Sequence, residues 1–165
     1  MRIENFSGGE SLMEKLRALV AKATEVDQVR IGFFEDAKYP DGTGVAMVAA
    51  MNEYGTSTMP ARPFFRNMIA EKSPDWGKSL GQVAATTGLD MQKTMALMGE
   101  GIAGQLQDAI VGFDSVPLAD STVKAKGFSK QLIDTAVMIN AVGYQVGGGD
   151  VKHSPDHIPA PGGKK

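Results

Sequence analysis

The sequence predicts an α+β fold: a small antiparallel or mixed sheet packed by an N-terminal helix and one long amphipathic helix, with an extended C-terminal arm. Three observations predict it. Apolar residues recur at helical spacing over 11–24 and again, for more than five turns, over 89–111. Two short runs, Gln28–Phe34 and Met138–Val146, alternate as strands do. From Gly147 onward, GGGDVKHSPDHIPAPGGKK carries glycine, proline and charge around two aliphatic side chains, Val151 and Ile158, too few to bury a core. Residues 1–146 therefore read as one domain and 147–165 as a flexible arm.

Ser11 to Thr24 sets Leu12, Leu16, Leu19, Val20 and Ala23 against Glu14, Lys15, Arg17 and Lys22, with Ser7 or Ser11 available as the cap. In the first strand Val29, Ile31 and Phe33 share a face opposite Arg30 and Gly32. Glu35 to Gly44 is a polar loop with a Pro-Asp-Gly turn. Val45 to Tyr54 is a short helix, with Thr43 as its cap and Val45, Val48, Ala49 and Asn52 along one side. Phe64 to Glu71 forms a second helix. Pro74 opens a further short piece bearing Trp76, Leu80 and Val83, which Thr86-Thr87-Gly88 ends.

Leu89 to Val111 is the clearest long helix: Met91, Met95, Met98, Ile102, Leu106 and Ile110 stack in one stripe while Asp90, Lys93, Glu100 and Asp108 point away. Gly99, Gly101 and Gly104 each cost about 0.8 to 1 kcal/mol against alanine there. Close approach of a neighbouring helix, or a kink suited to a curved assembly, would offset that cost; a marginal helix is the plainer alternative. Val116 to Gly127 is a turn into a short helix and Lys130 to Ala136 a connector, before the closing strand or hairpin arm.

Composition narrows the function classes. With 17 basic and 19 acidic side chains among 165 residues, divided evenly along the chain, nothing resembles the basic footprint of a nucleic-acid reader. Cysteine is absent, which removes disulfides and thiolate chemistry. The two histidines, His153 and His157, flank Pro155, and the proline argues against the helix that a spacing of four would need to bind a metal. No run approaches a membrane span, and MRIENFSGGE lacks the apolar stretch of a secretory signal. A cytoplasm-like compartment is the default.

Catalysis has little foothold. Glu35-Asp36 sits in a turn-rich loop, and Pro40-Asp41-Gly42-Thr43-Gly44 lacks the lysine and hydroxyl ending of a phosphate-binding loop. No GxSxG elbow or HExxH helix occurs. No catalytic residue, cofactor or metal is expected.

The segment Met51 to Phe65, MNEYGTSTMPARPFF, has the character of docking machinery. Asn52, Glu53 and Tyr54 run into the helix stop Gly55, and Pro60 and Pro63 stiffen the backbone around Arg62. Pro63 suits the first turn of the helix that holds Phe64 and Phe65. The competing reading is an ordinary rigid loop whose phenylalanines enter this chain's own core.

The order of these motifs resembles the tail-completion, or head-tail joining, family of long-tailed bacteriophages. The resemblance rests on Asn52-Glu53-Tyr54-Gly55-Thr56, Pro60-Ala61-Arg62-Pro63-Phe64, Pro117-Leu118, Ser121-Thr122, Lys126-Gly127, and Leu132, Asp134 and Thr135. It covers roughly Val29 to Val146. Ala136 stands where the family has glycine, which implies a different turn there, since alanine takes a positive φ less freely.

The resemblance implies a non-enzymatic α/β subunit of the virion neck, assembled in the host cytoplasm as a ring, commonly a hexamer, between the DNA-filled head and the tail. Its partners would be further copies of itself, the connector or portal-side protein, and the tail terminator or tube protein, with DNA passing through the lumen unread. Asn52, Glu53, Tyr54, Gly55, Arg62, Pro63, Phe64 and Phe65 become the candidate subunit contact. On that view Arg62 bonds a neighbour's carboxylate or carbonyls, while Phe64 and Phe65 act as buried anchors within the chain or across the seam. The arm 147–165 would order against an adjacent subunit or ring. The alternatives are a tail terminator capping the tail tube and, from another class, an enzyme with an unfamiliar site.

Overall fold

The computed structural model describes residues 28–114 and 136–153, together with Val26 and helical residues at 13–15, 17–18 and 20–21. Within them the fold is α+β, a three-stranded antiparallel sheet covered by helices. Strand β1 (Val29–Phe33) pairs with β2 (Val142–Val146), Val29 opposite Val146 and Phe33 opposite Val142. On the other side of β2 lies β3 (Val151–His153), with Gly143 opposite His153. The strand order β1-β2-β3 places in the middle a strand more than a hundred residues from its first partner.

Between β1 and β2 the chain forms α1 (Val45–Tyr54), α2 (Phe64–Thr86), α3 (Met91–Gly112) and the short α4 (Val137–Asn140). The sheet packs on α3, and α2 lies along another side of α3. Ala103, Leu106 and Ile110 of α3 meet Val142, Tyr144, Val146, Met138 and Ile139 in one core that also takes in Val45, Ala49, Phe64 and Met68; Met98 and Ile102 of α3 are buried as well. The charged residues Asp90, Lys93, Glu100 and Asp108 face outward, as their spacing predicts. Two polar side chains are enclosed with them. Gln107 donates from Nε2 to the Ile139 carbonyl at 3.2 Å, and Thr94 donates to the Asp90 carbonyl at 2.6 Å, so neither leaves an unmet group in the core.

Gly99 explains part of the cost of glycine in α3. A methyl built there would lie 2.7 Å from a ring carbon of Tyr144 and 2.9 Å from a methyl of Val29, so the bare backbone lets α3 sit close against β1 and β2. The close neighbour is the sheet, where a helix was the expectation. Gly101 and Gly104 face open space and gain no such contact.

Several boundaries differ from expectation, each for a physical reason. Thr43 does not cap α1: Gly44 holds the cap position without a side-chain bond, and the Thr43 amide instead donates to Asp41 Oδ1 at 2.9 Å. The two expected pieces 64–71 and 74–86 are one helix with Pro74 inside it. Packing holds both halves to α3, through Phe64 and Met68 before the proline and through the Trp76 Nε1 bond to Gln105 Oε1 at 2.9 Å after it, and tertiary contact overrides the local penalty. Helix α3 begins two residues later than predicted, because Asp90 takes the cap and accepts from the Lys93 amide at 2.9 Å.

Ala136 adopts φ 61°, ψ 3°, the left-handed conformation that a glycine would supply, so the expectation of a different turn fails at this residue. Its methyl is buried, and that enclosure offsets part of the roughly 1 to 2 kcal/mol of strain. The segment expected as a free arm from Gly147 begins instead with a hairpin: the Gly149 amide donates to the Val146 carbonyl at 3.1 Å and delivers β3 to the sheet. The rest of that arm, the connectors expected over 116–135 and Leu12, Leu16, Leu19 and Ala23 of the first helix lie outside the described residues; Val20, assigned to the same face, is exposed.

Candidate functional site

The corner predicted from Asn52 to Phe65 is built by one buried carboxylate. Helix α2 starts at Phe64 behind Pro63, which offers no side-chain cap, so its first amides need an acceptor from elsewhere. Glu53, buried in the last turn of α1, supplies it. Oε2 accepts from the Phe65 amide at 3.0 Å, and Oε1 accepts from the Arg66 amide at 3.2 Å and from Arg66 Nε at 2.7 Å. Arg66 also donates from Nη2 to the Glu53 carbonyl at 3.0 Å. The negative charge sits where the helix dipole favours it, and the fork of Arg66 meets what the backbone leaves open.

The chain between the helices folds back on itself to make this possible. The Gly55 amide donates to the Met51 carbonyl at 2.9 Å, the Thr56 amide to the Met59 carbonyl at 2.8 Å, and the Arg62 amide to the Asn52 carbonyl at 2.6 Å. Thr56 Oγ1 accepts from the Met59 amide at 3.1 Å. Gly55 has φ 76° and ψ 178°, a conformation nearly confined to glycine. A methyl there would lie 2.8 Å from both the Ala61 amide nitrogen and the Met59 carbonyl oxygen.

The structure brings the predicted residues together and gives them different surroundings. Phe64 is fully buried in this chain's core, edge-on to Phe33 with ring centres 6.4 Å apart and near-parallel to Phe65 at 6.5 Å. Phe65 is half-buried over the bare backbone of Gly32, where an added methyl would lie 3.7 Å from its ring. Both phenylalanines are thus intrachain anchors. Tyr54 is 69% exposed, with the Arg66 guanidinium 5.1 Å from its ring centre. Arg62 is 6% exposed, and its Nε is enclosed without a hydrogen-bond partner. Among the described residues no carboxylate pairs with it.

Sequence reasoning missed the outer face of α1. Met47, Ala50, Met51 and Tyr54 follow helical spacing and are all exposed, so they form one outward stripe beside the corner. The signal was present in VAMVAAMNEY, which is apolar on almost every side of its wheel; a helix of that kind is ordinarily covered all round. It also missed Arg66, whose partner lies thirteen residues back.

Little reactive chemistry gathers near the corner. Among the described residues no group of three or more histidine or acidic side chains is placed to hold a metal. His153 Nε2 lies 3.2 Å from Asp36 Oδ2, tying β3 to the loop after β1. Among the described residues no helix is long and apolar enough to cross a membrane. Compared with protein-family models, curated proteins and solved structures, the chain matches none.

Proposed function

We propose that the chain is a structural subunit of the neck of a long-tailed bacteriophage, working as one of several identical copies in a ring that joins the DNA-filled head to the tail. The observation that carries this reading is the corner itself. A buried carboxylate and a glycine in a conformation nearly confined to that residue tie α1 to α2, and the helix so held presents an uncovered stripe of Met47, Ala50, Met51 and Tyr54. Rigid placement of an apolar face is what docking against a fixed neighbour requires, because little ordering entropy remains to be lost on contact. The sequence resemblance at Asn52–Thr56 and Pro60–Phe64 falls on this same corner.

On this reading the protein performs no catalysis. It offers one surface to the connector on the head side and another to the terminator or tube on the tail side, and leaves an axial passage for DNA. The test is the virion made without it. Filled heads beside finished, unattached tails are expected in electron micrographs. Overlong tails would make the chain a tail terminator instead, and normal infectious particles would remove it from the neck.

A further inference from the structure

We propose that Met47 and Met51 form an oxidative modification site, at which a peroxide converts the outer face of α1 from an apolar surface into a polar one. The site stands on exposure and spacing; its bearing on assembly rests on the neck reading.

The fold sorts the thioethers of this chain into distinct surroundings. Met68, Met98 and Met138 are buried, and Met59, Met91 and Met95 are half-buried. Among the described methionines only Met13, Met47 and Met51 are exposed, at 52%, 57% and 42%. Met47 and Met51 differ from Met13 in standing as a pair. Four residues apart on one helix, they are surface neighbours, in the stripe that Ala50 and Tyr54 complete. An oxidant in solution reaches both without any opening of the fold, and the chain has no cysteine to compete for it.

The reaction needs hydrogen peroxide and nothing further. A lone pair on the methionine sulfur attacks one peroxide oxygen, the O–O bond breaks, and the proton on the transferred oxygen passes to the departing one, which leaves as water. The sulfur is oxidised by two electrons and the peroxide reduced by two. The product is a polar, chiral sulfoxide where a soft apolar thioether stood. Methionine sulfoxide reductases reverse it, one enzyme for each epimer.

The position of the pair gives the modification its effect. The inner side of α1 carries Val45 and Ala49 in the core and Glu53 on the α2 amides. Glu53 is the helix's only charged residue and it is buried, so the outer stripe owes its apolar character to side chains that oxidation can change. Two sulfoxides alter that stripe and leave the anchoring of α1 in place. An apolar surface seated on it would then close over two unbonded acceptors, which opposes docking.

The test is hydrogen peroxide titration of the full folded chain, followed by peptide mass mapping. Met47 and Met51 are expected to gain one oxygen each at the pace of Met13, and at least about tenfold faster than Met68, Met98 and Met138. Retention on a hydrophobic-interaction column is expected to fall as they do so and to return after treatment with both reductases. In the double variant Met47→Leu/Met51→Leu, which keeps the bulk of the stripe, peroxide should lower retention at least about twofold less than in wild type. The melting temperature of the oxidised chain should move by less than about 2 °C. Protection of Met47 and Met51 to the level of Met68, or a retention loss that the double variant shares in full, would overturn the site. The bearing on assembly is read with heads and tails from particles made without the protein, mixed with untreated or oxidised chain. Oxidised wild type is expected to join at least about tenfold fewer of them, whereas peroxide should leave the double variant at its own untreated level. Equal joining by oxidised and untreated wild type would overturn the effect on docking and leave the neck reading standing. No joining by untreated wild type would sink the neck reading, and the site would be judged by the mapping and retention alone.

Discussion

The two junctions on either side of α2 solve one problem in opposite ways. Between α2 and α3 everything is local: Gly88 and Leu89 turn the chain with φ of 64° each, Thr87 Oγ1 meets Thr94 Oγ1 at 2.7 Å, and Asp90 caps the helix that follows. Between α1 and α2 the cap is borrowed. Glu53 reaches from the end of one helix to the start of the next across a nine-residue loop, the Arg62 amide ties that loop back to Asn52, and Gly55 permits the fold-back. A local cap fixes where a helix starts. A cap lent by the preceding helix also ties the two helices to each other, whereas at the second junction the packing of α2 along α3 does that work and the connecting turn need only reverse the chain.

That contrast can be broken from its stiff side first. Gly55→Val combines a forbidden backbone conformation with contacts of 2.8 Å and is expected to destabilise the fold by at least about 3 kcal/mol, seen as a shifted urea midpoint. Glu53→Gln keeps the shape and removes the charge, and about 2 kcal/mol of stability should go with it. In the second junction, Gly88→Ala meets no neighbour within 4 Å and should cost only about 1 kcal/mol, for its left-handed backbone alone. A loss there equal to that of Gly55→Val would erase the distinction. The smallest stability effect belongs to Tyr54→Ser, under about 0.5 kcal/mol on an exposed position. If the stripe is a contact, self-association measured by sedimentation should fall while the melting curve stays put.

The sequence made α1 legible to the residue, because an apolar run between a glycine-rich turn and Gly55 leaves few other bounds. Strand β1 and the buried stripe from Met98 to Ile110 were equally open to periodicity. Pro74 misled because a local rule about helix interiors says nothing of what lies alongside, and here α3 holds both halves of α2. The role of Glu53 stayed hidden for a related reason. A cap is sought next to its helix, while this one comes from twelve residues upstream; the usable clue was Pro63, a helix start with no capping side chain of its own. Ala136 shows the reverse error: alanine's reluctance to take a positive φ implies a different turn, yet the buried residue adopts the left-handed conformation.

The position of β2 sets a timetable for the newly made chain. The central strand is encoded at Val142–Val146, so β1 lacks this backbone partner until more than a hundred further residues have been made. During that interval Val29, Ile31 and Phe33 stay exposed beside whatever helices have already formed, an invitation to aggregation that chaperones exist to screen. Among the described residues, a nascent chain stalled before residue 142 holds the long helices α2 and α3, with the shorter α1, and no sheet for them to cover.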